Sequence, residues 1–102
     1  MEMRYFCSKL GQIVELNLER LDHIYERHSE LQDFAIELEL TIKNPDIILQ
    51  KITGELLLIH WFENVINGKF ITAVVINDQV KERKWVVTAF ITRSCPKGEL
   101  YE

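Results

Sequence analysis

The chain has 102 residues, with 12 Lys and Arg against 16 Asp and Glu, giving a net charge of −4 with histidine neutral. That length holds one domain, residues 1–102, around a single core. The apolar share of 47% excludes a disordered chain, and the acidic balance excludes a nucleic-acid binder that works through a chain-wide basic surface.

The N-terminus, Met1-Glu2-Met3-Arg4, lacks the apolar stretch of a secretory signal, which points to the cytoplasm. Arg4 to Cys7 and Gln12 to Leu16 read as two short strands turning at Lys9-Leu10-Gly11. Asn17 is an N-cap candidate, and Leu18, Leu21, Ile24, Tyr25 and His28 follow helical spacing, so a helix is predicted from Leu18 to His28. Leu31, Phe34, Ala35, Leu38 and Ile42 predict a second helix, which Asn44-Pro45 ends because proline lacks a donor and restricts the residue before it.

Beyond Pro45 the pattern is extended. Strands are predicted over Ile47 to Ile52, Leu56 to Val65, Phe70 to Ile76 and Trp85 to Thr92. Asn67-Gly68 predicts a two-residue type I′ turn, which would set Ile66 opposite Lys69 and His60 opposite Val75. Asp78 to Arg83 reads as a charged loop, and Glu99 to Glu102 as a tail with room for one short strand. The longest apolar run, Leu56 to Ile59, falls far short of the roughly 20 residues of a membrane-spanning helix, so no membrane partner is expected. The expected fold is α+β, a helical pair packed on a roughly four-stranded antiparallel meander.

Cys7 and Cys95 lack zinc-type spacing and read as free, mostly buried thiols. Asp22, Asp33, Asp46 and Asp78 do not cluster as two-metal ligands do, and no phosphate loop, nucleophile elbow or zinc-binding helix is present. Any chemistry is therefore expected to be free of metal and cofactor.

The run Asp22 to His28 holds two of the three histidines with an arginine between them. His23 and Arg27 are four residues apart, about 40° around a helix, whereas His28 projects about 140° from His23. A cation beside a group that titrates near neutrality suits acid/base work on a phosphodiester. The same pair also fits a solvated face with Glu19 and Glu26 as ion-pair partners, and His28 fits the edge of the core. Strand alternation sets Val86, Thr88, Phe90 and Thr92 on one face, where Thr88 and Thr92 could hold a phosphate or simply reflect β propensity. The segment Lys81-Glu82-Arg83-Lys84 offers a small basic patch that could guide RNA.

The order of His23-Ile24-x-x-Arg27-His28 on a helix, Asn44-Pro45-Asp46 after a second helix, Val87 to Thr92 on a late strand and then Lys97-Gly98-Glu99 resembles small prokaryotic and phage proteins of the barnase–EndoU–colicin–RelE-like nuclease superfamily. The resemblance runs from about Leu18 to Glu102. It implies a metal-independent, toxin-like or phage-related endoribonuclease, with His23, Arg27, Thr88 and Thr92 as catalytic residues and His28, Lys81, Arg83 and Lys84 as substrate-binding residues. RNA is the implied substrate, and an antitoxin or immunity protein the implied partner. The alternative is an inactive family member serving as an interaction or assembly module, a homo-oligomer anchored on Trp61 or Trp85. A third reading is a small-ligand binding domain using the sheet face.

Overall fold

A computed structural model describes residues 2–101. Strands β1 (Glu2–Cys7) and β2 (Gln12–Asn17) pair as a hairpin, with Glu2 opposite Asn17 and Cys7 opposite Gln12. Asn17 closes β2 and caps helix α1 (Leu18–Arg27), its Oδ1 accepting the Glu19 amide at 2.8 Å. Glu19 in the first turn and Arg27 in the last both complement the helix dipole.

The helix stops one residue short of the predicted end. His28 is its C-cap, with φ −133° and ψ 66°, and so leaves the helical projection. A 3-10 helix (Ser29–Phe34) leads into α2 (Ala35–Lys43), which ends at Asn44 ahead of Pro45. Strands β3 (Ile47–Gln50), β4 (Leu56–Phe62), β5 (Lys69–Asp78), β6 (Arg83–Thr92) and β7 (Glu99–Leu100) follow.

All seven strands form one mixed sheet in the order β1-β2-β6-β5-β4-β3-β7. The expectation of a helical pair on a four-stranded antiparallel meander is therefore corrected. The first hairpin joins the sheet by pairing β2 parallel to β6 at Glu15 and Trp85, and the tail adds β7 beside β3. A parallel pairing between strands so distant in sequence leaves no local pattern, because the register is set across the whole intervening chain.

The buried residues of the helices pack on one face of the sheet, while the outer side of α1 borders Val87 and Thr88 of the other face. On the first face Ile24, Leu31, Leu38 and Ile42 pack with Val14, Leu16, Leu58, Ile71, Val86 and Ala89 in the main core. The other face holds a second cluster of Leu49, Leu57, Ile59 and Val74, with Phe70, Val87 and Phe90 against it and no helical residue. Thr72 lies in this second face between Ile59 and Phe90; it is fully buried and its hydroxyl has no hydrogen-bond partner among the described residues. Removing an unpaired buried hydroxyl while keeping its shape removes a desolvation cost, so Thr72→Val raises stability by about 1 kcal/mol. Thermal unfolding should show a Tm about 5 °C higher.

The β4–β5 connection also departs from its prediction. Phe62, not Ile66, pairs with Lys69, so His60 stands opposite Ile71. Ile66, Asn67 and Gly68 all have positive φ, which extends the turn beyond two residues. A Cβ at Gly68 would lie 3.0 Å from the Trp61 ring, so both backbone and space favour glycine there. Cys7 is buried but Cys95 is exposed, and both are free thiols. No helix among the described residues is long and apolar enough to cross a membrane.

Candidate functional site

Helix α1 lies beside β6, and the cleft between them has a volume of about 500 Å³. Arg20, His23 and Arg27 line it from the helix, where spacings of three and four residues keep them within about 60° of one another. Val87 and Thr88 line it from β6, Ile24 forms part of its inner wall, and His28 stands at one end.

His28 enters the cleft because α1 ends before it. A continuous helix would have turned it away from His23, but with the cap conformation both residues line the same cleft. Its ring lies 6.2 Å from the Phe90 ring, centroid to centroid. Its Nδ1 is 3.9 Å from a Glu30 carboxylate oxygen, and His23 Nδ1 is 3.7 Å from Glu26. These separations suit ion pairs with protonated rings and are too long for hydrogen bonds.

The arginines differ from that picture. Among the described residues neither Arg20 nor Arg27 forms an ion pair, so two guanidinium groups face the cleft unneutralised. Of the surface reading that gave His23 and Arg27 the partners Glu19 and Glu26, the His23–Glu26 pair is present on an exposed face, and Arg27 has neither. Arg20 was absent from the sequence reading, although its position three residues before His23 and seven before Arg27 carries the needed signal.

The strand wall depends on a β-bulge. Val74 pairs with Thr88 and Val75 with Val86, leaving Val87 as an extra residue in β6. The bulge resets alternation, so Val86 joins Ala89 in the main core while Val87 and Thr88 both line the cleft. The predicted shared face of Val86 with Thr88, Phe90 and Thr92 is corrected accordingly. Thr92, four residues or about 13 Å beyond Thr88, is not in the cleft, and its hydroxyl donates to the Ser94 carbonyl at 2.7 Å.

The predicted basic patch is taken apart by the same alternation. Arg83 and Lys84 belong to β6, not to a loop, and neighbouring strand residues point to opposite faces. Arg83 donates from Nε and one terminal nitrogen to Glu15 Oε2 at 3.0 and 2.8 Å, and its guanidinium lies 5.6 Å from the Trp85 ring centre. The Glu15 hydrogen bond, reinforced by its charge, raises the Arg83 pKa above the ordinary arginine value. Lys84 is buried with its ammonium on Gln12, and Lys81 is exposed in the β5–β6 turn.

A second, smaller hollow of about 360 Å³ shares Arg20 and His23 with the cleft and is lined also by Asn17, Glu2, Arg83 and Trp85. The polar side of α1 thus borders two adjoining surface hollows, and Arg20, His23 and Arg27 remain solvent-exposed along them. His60 takes no part; its ring stacks on Phe62 at 4.1 Å and sits 3.5 Å from Asp46. Among the described residues no group of three or more His, Cys, Asp or Glu converges to hold a metal ion. Comparison of the chain with family models, with curated proteins and with solved structures found no match.

Proposed function

We propose that this protein is an endoribonuclease whose site is the cleft between α1 and β6, in keeping with the resemblance to the barnase–EndoU–colicin–RelE-like superfamily. The observation that carries the reading is that His23, His28, Arg20, Arg27 and Thr88 all line a single cleft of about 500 Å³. Cleavage of RNA without a bound cofactor requires a base, an acid and a cation at the phosphate, and this set supplies all three.

In this mechanism neutral His23 accepts the proton of a ribose 2′-hydroxyl as the oxygen attacks phosphorus. Arg27 and Arg20 stabilise the charge that gathers on the phosphoryl oxygens, and Thr88 donates to one of them. Protonated His28 gives its proton to the departing 5′-oxygen as the P–O5′ bond breaks. The products are a 2′,3′-cyclic phosphate and a 5′-hydroxyl, and the two histidines exchange protonation states. The net charge of −4 does not oppose this reading, because the unpaired arginines supply a local positive field where the phosphate sits.

The test is cleavage of total RNA in EDTA with the new ends mapped. Cyclic phosphate and 5′-hydroxyl ends support the reading; intact RNA at micromolar protein removes it and leaves the interaction-module alternative. The bulge gives a second check. Deleting Val87 lets Val86 and Thr88 continue a regular ladder with Val75 and Val74 without moving Ala89 out of the core. The deletion variant should keep its far-UV circular dichroism and lose about tenfold or more in cleavage, since one wall of the cleft is withdrawn.

A further inference from the structure

A second cleft, of about 460 Å³, opens on the helix-bearing side of the sheet between the β1–β2 turn, the start of β3 and the C-terminal residues. Its lining includes two lysines, Lys84 and Lys9, and Gln12. Lys84 is only 6% exposed, and its ammonium donates to the Gln12 side-chain oxygen. Among the described residues no carboxylate lies within ion-pair distance of it. A buried ammonium whose partner is a neutral amide retains most of its desolvation cost, and a lysine in that position is rare unless paired. Here it also borders an open cleft, so an anion can reach it.

The remaining lining narrows the ligand. Ile48 and Leu100 give the cleft an apolar wall, and Asp46 stands on the β3 side with its carboxylate accepting the Trp61 amide. The volume exceeds what an inorganic ion fills and lies in the range of small-molecule sites. Two lysine point charges, with no planar guanidinium fork, suit a phosphate better than a carboxylate. We infer that this cleft binds an organic phosphate monoester of about mononucleotide size, with the phosphate against Lys84 and Lys9 and the organic body along Ile48 and Leu100. Asp46 would accept from a donor on that body. The inference stands apart from the ribonuclease reading, since none of these residues borders the α1–β6 cleft.

The test is isothermal titration calorimetry of the full chain with phenyl phosphate, adenosine 5′-monophosphate and benzoate. Both phosphate esters bind the wild type, and benzoate binds at least tenfold more weakly. Lys84→Met keeps the aliphatic stem and weakens both esters by about tenfold or more. Gln12→Glu supplies an internal carboxylate to the ammonium, raises Tm and weakens the esters by a similar factor, so the result does not hang on the folding of one variant. Failure of either ester to bind at millimolar concentration, equal binding by Lys84→Met, or benzoate matching phenyl phosphate overturns the inference. Binding by Glu102→Gln but not by the wild type would also overturn it, because the chain itself would then supply the anion.

Discussion

His23→Ala lowers RNA cleavage by about 10²- to 10⁴-fold, the range set by loss of a general base or acid. The side chain is 64% exposed, so the substitution leaves Tm almost unchanged and the loss is one of chemistry. Arg27→Ala should cost about 10²- to 10³-fold, as expected of a group that stabilises charge developing in the transition state. Thr88→Val removes one hydrogen bond to a charged phosphoryl oxygen and should cost about 10- to 100-fold. His28→Ala should resemble His23→Ala on a normal RNA linkage and be much milder on a substrate whose leaving group needs no proton, such as a p-nitrophenyl phosphodiester of a nucleoside. Variants at His23 and His28 that both cleave RNA within threefold of wild type would sink the acid–base pair. Equal losses on both substrates would remove His28 from the leaving-group role.

Ile24→Ala carries the largest stability effect expected from α1. Ile24 is the one fully buried residue of that helix, it belongs to the main core, and it also forms the inner wall of the cleft. Truncation to alanine in a closely packed core costs about 3 kcal/mol, within a range of about 2–5. For a chain of this size that corresponds to a Tm roughly 15 °C lower. Cleavage should fall as well, because Ile24 fixes how closely Arg20, His23 and Arg27 approach β6, and small displacements of catalytic groups are costly. Ile24→Val keeps most of the contact, costs about 1 kcal/mol and should retain activity. Full activity in Ile24→Ala at a temperature where it remains folded would show that the helix position does not govern the site.

The local elements were the legible part of the fold. Asn17 as a cap, the helical stripe through Leu21, Ile24 and Tyr25, and the strand-forming runs from Ile47 onward depend on neighbours a few residues apart, and the structure has α1 and β3 to β6 in those regions. The first hairpin was read as two strands but not placed in the sheet, because its parallel contact with β6 joins Glu15 to Trp85 across most of the chain. The missed bulge has a similar cause. Nothing at Val87 signals it; it becomes visible only when Val75 is paired with Val86 and Val74 with Thr88.

By itself the sequence determined the chemistry available: imidazoles at His23 and His28, a cation at Arg27 and hydroxyls at Thr88 and Thr92. Tertiary structure decided which of these meet. Ending α1 at Arg27 turned His28 into the cleft, the bulge turned Val87 and Thr88 toward it, and Glu15 withdrew Arg83 into an ion pair. The physical reason is that helical and strand periodicity fix direction only within an unbroken element. A cap, a bulge or a partner from a distant strand resets that direction, and the first two act at this cleft while the third acts at the neighbouring hollow.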